Sequence, residues 1–441
     1  MHLSNPDTSE SNALKAAVVS KVTRRLVPLL FFLYVIAYVD RINISFAALQ
    51  IKAYLGMSEA GYGFAAGVFF AGYVVFQLPS NMILEKIGAR RWIAVLMIAW
   101  GIISSCMIFA RIPWHLYVFR FMLGSAEAGF FPGIVFYLKS WFPHDTRAKT
   151  VALFAAAGPL SAVIAGPLCG ALLRLHKGGL AGWQWMFLVE GVPAILLGIG
   201  VLFYLTNTPS QAHWLSEDQR GWLIDTLSRE QHAVHSSDSS GVAEVFTSAS
   251  IWLLVFVYFG VNCAGYGITL WLPSFIRNLS GVGTVTIGLL TAIPYAAALV
   301  IMIIAGAHSD KSGEQRWHIA APAFLGAAAL FLAAYSSSVA ALVGALSVAV
   351  VTEFSMVGPF WALSTTIKPK HAAAGIALIN SIGNLGGLAG SFAVGALKNA
   401  ASGFRDGLFV LGISLGMAGI LALLVRRGAA AIPGREMSHV G

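Results

Sequence analysis

Charge is what this sequence has least of. Asp, Glu, Lys and Arg make up 11% of its 441 residues, against about 25% in an ordinary soluble domain. That scarcity excludes a water-soluble enzyme of two or three domains, and equally a solvated, disordered chain. Cysteine is nearly absent: Cys106, Cys169 and Cys263 each sit inside an apolar stretch. An odd number without metal-type spacing excludes a disulfide framework or a thiolate metal site, so the three read as small buried hydrophobes. Also missing are a Ser/His/Asp set, metal-ligand spacing and a phosphate-binding loop. Most histidines (His144, His176, His213, His232, His235, His308, His371) fall in polar loops. No enzyme activity, metal or cofactor is therefore expected.

What is there is apolar: 57% of residues are hydrophobic and the mean hydropathy is +0.76. A membrane-crossing helix needs roughly 20 apolar residues for about 30 Å of hydrocarbon. Windows free of Asp, Glu, Lys and Arg recur along the whole chain. The long window 317–352 contains Tyr335-Ser336-Ser337-Ser338, a turn signal that splits it in two. Twelve helices follow, near 26–48, 61–83, 92–110, 114–138, 149–173, 185–205, 250–274, 284–307, 317–335, 339–362, 371–397 and 405–426. The first twenty residues are polar and mixed in charge, unlike a cleaved signal peptide. The expected fold is an all-α membrane protein, twelve transmembrane helices in two pseudo-symmetric six-helix bundles around a central cavity.

The net charge of +9 raises the question of nucleic acid, and its placement answers it. With a cytoplasmic N-terminus, nineteen Lys and Arg fall on the cytoplasmic side and seven opposite, while Arg41 and Arg120 lie within helices. Membrane topology thus accounts for the basic excess. The expectation is a multi-pass protein of the inner membrane with both termini cytoplasmic and the lipid bilayer, not nucleic acid, as its partner.

The longest polar segment, 206–249, separates residues 1–205 from 250–441, six helices each. Within it Ser216-Glu217-Asp218-Gln219 is a capping-box pattern, and Leu223, Ile224 and Leu227 follow at helical spacing. A short amphipathic helix on the cytoplasmic face is expected. Glu85-Lys86-Ile87-Gly88-Ala89-Arg90-Arg91 echoes Asp310-Lys311-Ser312-Gly313-Glu314-Gln315-Arg316 at an offset of 225, and Ala148 stands opposite Ala373 at the same offset. Two matches at one offset point to a duplicated six-helix unit, an arrangement on which many transporters alternate access.

Twelve helices with the loop Glu85-Lys86-x-Gly88-x-Arg90-Arg91 resemble the major facilitator superfamily. Three further segments resemble its anion:cation symporter branch. They are Tyr38-Val39-Asp40-Arg41-Ile42-Asn43-Ile44-Ser45, Arg120-Phe121-Met122-Leu123-Gly124-Ser125-Ala126-Glu127-Ala128-Gly129, and Asn380-Ser381-Ile382-Gly383-Asn384. That branch carries organic anions such as galactonate, tartrate, phthalate and hydroxyphenylacetate. Ala181-Gly182-Trp183-Gln184-Trp185, Glu190-Gly191-Val192-Pro193, His308-Ser309-Asp310 and Arg316-Trp317-His318 are most similar to bacterial tartrate-type transporters. The resemblance implies proton symport of a small carboxylate, and a monomer is expected because one chain holds a whole cavity between its halves. An uncoupled or exchange-type facilitator of the same fold is the alternative. Glu85, Arg90, Arg91, Asp310 and Arg316 would belong to the gating loops.

The ionisable groups within the spans are Asp40, Arg41, Arg120, Glu127, Glu190 and Glu353. Each costs about 2.5–3.5 kcal/mol at a helix centre unless paired or wet. Glu190 reads as a lone charge near a helix end, structural or interfacial. Glu353 is an acid the resemblance does not lead one to expect there, left to tune specificity or to face a neighbouring helix. Arg120 and Glu127, seven apart, share a helix face, so that Arg120 can pair with Glu127. Tyr34, Tyr38, Arg41 and Ser45 form one stripe, from which Asp40 is turned by about 100° and can face a neighbouring helix instead. Tyr73/Gln77 and Asn380/Asn384 are polar i, i+4 pairs. A guanidinium offers a planar fork to a carboxylate. Arg41 is the first candidate for the substrate carboxylate, Arg120 the second, with Tyr38, Tyr73, Gln77, Asn380 and Asn384 for substrate hydroxyls. Asp40 and Glu127 are the candidate proton carriers, roles the resemblance supports. Glycine pairs at four-residue spacing, such as Gly166/Gly170 and Gly386/Gly390, read as close helix packing.

Overall fold

The computed structural model describes residues 6–234, 242–364, 372–398 and 403–425. Outside them lie Lys368, Lys370, Arg426, Arg427 and Arg435, five of the nineteen basic residues expected on the cytoplasmic side, and also His235 and His371. The helices are α1 (Pro6–Leu55), α2 (Glu59–Ile87), α3 (Ala89–Cys106), α4 (Pro113–Glu127), α5 (Phe130–Lys139), α6 (His144–Ala155), α7 (Ala157–Leu172) and α8 (Gly182–Tyr204). Then come α9 (Glu217–Val234), α10 (Val242–Thr247), α11 (Ala249–Ser280), α12 (Thr284–Ser312), α13 (Arg316–Ala334), α14 (Val339–Ser364), α15 (Ala372–Lys398) and α16 (Arg405–Leu424). Among the described residues there is no strand, only an isolated bridge between Lys177 and Leu180. Twelve helical stretches are long and apolar enough to span a bilayer. Side chains such as Phe203, 83% exposed, face outward where lipid would solvate them.

Two spans are built from two helices each, and proline explains both breaks. A proline removes the hydrogen bond to the residue four before it and crowds that carbonyl. Pro132 disrupts the ladder at Ala128, where α4 gives way to α5, and Pro159 does so at Ala155, where α6 gives way to α7. The first break falls directly after Glu127.

The first span begins far earlier than its apolar window, at Pro6 rather than near 26. Val18, Val22 and Leu26 recur at i, i+4 and i+8 with no exposure, giving the polar N-terminal stretch one buried face. The linker packs against it. Ser216 and Gln219 form the expected reciprocal cap, with Gln219 N–H donating to Ser216 Oγ and Ser216 N–H to Gln219 Oε1. Leu223 is buried, while Ile224 is exposed. Lys21 Nζ reaches Gln219 Oε1 at 3.2 Å, Arg147 pairs with Glu230, and Lys15 pairs with Asp145.

The sequence echo has a backbone counterpart. α2 and α12 start and stop 225 positions apart. The turns that follow each carry a glycine in the left-handed region, Gly88 at φ 84° and Gly313 at φ 65°, which only glycine adopts freely. In the first turn Arg90 N–H donates to Asn207 Oδ1. Arg90 is half-buried, and Glu85 and Arg91 are exposed. In the second, Arg316 N–H donates to Glu314 Oε1 and Asp310 is exposed.

The two halves meet firmly at the end of the molecule opposite the N-terminus. Glu59 accepts from Lys52 Nζ at 2.7 Å and from Lys398 Nζ at 2.6 Å. Tyr62 donates to the Leu270 carbonyl, and Thr284 to that of Gly170. α7 and α12 cross where Gly166 and Gly288 face each other, so close that a Cβ on either would lie 2.2–2.3 Å from the other's carbonyl oxygen. This end is closed.

Candidate substrate cavity

A cavity of about 200 Å³ lies between the halves. That is smaller than the roughly 300–1,000 Å³ of drug-sized ligand sites and suits a small solute. From α1 and α2 it is lined by Tyr34, Tyr38, Arg41 and Tyr73, and from the second half by Asn262, Tyr266, Glu353, Asn380 and Asn384 among others. Asn384 Nδ2 donates to the backbone and side-chain oxygens of Asn380, and Asn262 to the Gly383 carbonyl. Gln77 stands outside the lining; its Oε1 accepts from Ser381 Oγ at 3.4 Å, across the halves.

Arg41 is 8% exposed and forms a buried ion pair with Glu127. Nε and Nη2 both donate to Oε2, at 3.1 and 2.9 Å. The guanidinium lies 5.3 Å from the Phe69 ring centroid, 5.4 Å from that of Tyr73 and 5.9 Å from that of Tyr38. These rings hold its plane within reach of a cation–π attraction. Glu127 Oε1 is buried without a hydrogen-bond partner.

The expected pairing of Arg120 with Glu127 is therefore corrected: Arg41 takes that place. Arg120 is fully buried beside Phe69, 4.9 Å from its centroid, and Nη2 donates to the Ala66 carbonyl. It does not line the cavity. Sharing a helix face brings Arg120 and Glu127 to one side of a bundle, but the turn after Glu127 aims the acid at α1.

Asp40 follows the other expectation, turning from the cavity to neighbouring helices. Its Oδ1 accepts from Ser104 of α3 and from Asn43 Nδ2 one turn on. Asn43 Nδ2 also reaches Glu190 Oε2 at 2.8 Å, and Cys169 Sγ donates to Glu190 Oε1 at 3.2 Å. The interfacial alternative for Glu190 is thereby corrected, and its structural alternative fits these bonds: Glu190 is 5% exposed and joined to Asp40 through one amide. Cys169 is more than a small hydrophobe, since its thiol donates. This cluster ties α1, α3, α7 and α8 together behind the cavity wall. No sequence spacing relates positions 40, 104, 169 and 190, so nothing in the chain announced it.

A helical membrane protein with two halves, a sealed end and between them a solute-sized, largely apolar cavity carrying a few polar side chains has the build of a transporter. The chain belongs to the Major Facilitator Superfamily, whose family model matches residues 30–391. It is similar to a proposed tartrate transporter of Agrobacterium vitis, 43% identical over 97% of this chain and 96% of that one. It is also similar to the proposed metabolite transport protein NicT of Pseudomonas putida, 40% identical over 89% and 91%. A bacterial homolog of the human lysosomal transporter Spinster, solved in an inward-facing occupied conformation, shares the fold. Its TM-score is 0.73 at 17% identity, with 91% and 96% of the two chains covered.

Proposed function

We propose that this protein is a proton-coupled symporter of small organic anions in an inner membrane, with both termini cytoplasmic and the protein working as a monomer. Residues 1–205 and 250–441 act as the two rocking bundles, and 206–249 is a cytoplasmic linker. In this orientation the sealed end faces outward and the structure represents an inward-facing state. The observation that carries the reading is the buried ion pair between Arg41, which lines the cavity, and Glu127 behind it.

The coupling follows from competition. Arg41 stays cationic under all physiological conditions. While Glu127 is ionised it occupies the guanidinium donors and repels a second carboxylate. A proton on Glu127 cancels that charge and frees Nε and Nη2 for the substrate. Substrate and proton therefore favour each other's binding, and by linkage equally so. Loss of the proton re-forms the pair and expels the anion. Asp40 is the second proton carrier, held apart from the cavity by its Ser104 and Asn43 bonds. Arg120 supplies a fixed positive charge behind Phe69. Tyr38, Tyr73, Asn380 and Asn384 read substrate hydroxyls, with Gln77 holding α15 through Ser381. The loop residues Glu85, Arg90, Arg91, Asp310 and Arg316 gate the inner end. The tartrate named for the Agrobacterium vitis relative fits this class.

Direction follows from the membrane potential. One charge moved across 100 mV is worth about 2.3 kcal/mol. An anion entering a negative interior runs against it unless protons outnumber its charges. The test is internal acidification of proteoliposomes, read by a trapped pH dye, as tartrate, sugar acids, phthalate, hydroxyphenylacetate and neutral sugars are added outside. Acidification with a carboxylate is expected, absent in Arg41→Ala and Glu127→Gln, with counterflow surviving in Glu127→Gln. Exchange without acidification in the unmodified protein would instead identify an exchange-type facilitator.

A further inference from the structure

The cavity has two charged side chains in its lining among the described residues, Arg41 on α1 and Glu353 on α14, one from each half. Their circumstances differ. Arg41 has Glu127. Among the described residues Glu353 forms no hydrogen bond or ion pair, and its Oε2 is buried without a partner. The backbone makes room for it. A Cβ at Gly265 of α11 would lie 1.9 Å from Glu353 Oε1 and 2.2 Å from Cδ, so the carboxyl group rests in a notch that any other residue would fill. The groups around it are neutral: Tyr38 on α1, Tyr266 and Thr269 on α11 and Asn380 and Asn384 on α15 line the same space. Tyr295 of α12 turns its hydroxyl to Thr269 Oγ1.

An unpaired carboxyl group at this depth is costly. A proton of its own would relieve that cost, and so would a donor brought by what the cavity receives. We propose that Glu353 is the second pole of the cavity, and that the carried anion bears a hydrogen-bond donor, a hydroxyl or a protonated nitrogen, on the side away from the carboxylate that Arg41 takes. This rests on the proposal that the cavity carries organic anions. Glu353 then sets specificity by exclusion as well as attraction. A plain acyl tail leaves the carboxyl group unsatisfied. Sites built to bond a substrate donor reject the analogue lacking it far more strongly than apolar pockets reject a missing methylene.

The test uses purified full-length protein and its thermal stabilisation by acids in matched pairs: 3-hydroxybutyrate against butyrate, β-alanine against propionate, tartrate against succinate. The donor-bearing member of at least one pair should bind about tenfold or more tightly, and the pair that responds tells hydroxyl from ammonium recognition. In Glu353→Gln an ammonium preference should collapse, while a hydroxyl preference should shrink less because the amide still accepts. Gly265→Ala keeps the carboxyl group but displaces it, and should erode the same preference. Equal binding within every pair, or a preference unchanged by both variants, overturns the assignment. So does a Glu353→Gln protein with unchanged preferences that has lost proton uptake, since that outcome makes Glu353 a proton carrier. If none of the six acids binds, or if Arg41→Ala binds them as well as the unmodified protein, the anion reading of the cavity fails instead.

Discussion

At the residue scale, the amide of Asn43 does two jobs with one nitrogen. Nδ2 donates to Asp40 and to Glu190, and no ion pair to either acid exists among the described residues. Removing that donor takes one hydrogen bond from each of two buried carboxyl groups, leaving Asp40 with Ser104 and Glu190 with Cys169, whereas converting one acid to an amide leaves an acceptor in place. A hydrogen bond to a charged group is worth about 1.5–3 kcal/mol, and a buried group left unsatisfied costs its desolvation as well. Asn43→Ala is therefore expected to lower the Tm of the detergent-purified protein by several degrees, and Glu190→Gln to stay near the unmodified value. Scanning fluorimetry distinguishes them, and equal Tm values for both variants would contradict the shared-donor account. This cluster also marks how far single residues were legible. The 100° step from Arg41 to Asp40 is fixed by helix geometry, so their divergence could be read from the chain. Which acid Arg41 meets could not, because that depends on the depth at which α4 ends.

At the element scale, helix count and type followed from hydropathy alone, since a bilayer admits few alternatives to an apolar helix. Ends were less legible. The start of α1 rests on three buried positions, Val18, Val22 and Leu26, within a polar stretch that no apolar window includes. Glycine spacing pointed to close packing without naming the partner, and Gly166 meets Gly288 across the halves. There a methyl group at Gly166 would lie 2.3 Å from a backbone oxygen, which cannot rotate away as a side chain would. Overpacking of this kind costs about 1–3 kcal/mol. Gly166→Ala is expected to lower Tm and to separate α7 from α12. At Gly200 in α8 a Cβ meets nothing within 4 Å, so Gly200→Ala should be neutral or stabilising by up to about 1 kcal/mol through helix propensity. Parallel melting curves decide it: two variants melting together would mean that the α7–α12 crossing tolerates separation.

At the scale of the whole molecule, the closed end is held by one acid serving two lysines. Lys52 belongs to the first half and Lys398 to the second, and both reach Glu59. The side chains are 19% and 23% exposed, so solvent weakens each pair without abolishing it. Glu59 and Lys52 share the first half, so only the Lys398–Glu59 pair breaks when this end opens, and it contributes up to about 1 kcal/mol to closure. Glu59→Gln removes the attraction and leaves two ammonium groups facing one neutral amide, so closure loses the bond and gains repulsion. An energy of about 1.4 kcal/mol is a tenfold change in equilibrium constant. With one cross-half pair of up to about 1 kcal/mol, the fraction of molecules open at this end should rise severalfold, short of tenfold. Spin labels at Gly56 and Ser280, just outside the closed end, would read the shift as growth of a longer distance. High salt should produce a smaller version of it in the unmodified protein, because screening acts on the same contacts. A distance distribution indifferent to both the substitution and salt would place the closure energy in the apolar crossing of α7 and α12 instead. Transport would then respond to Gly166→Ala and not to Glu59→Gln.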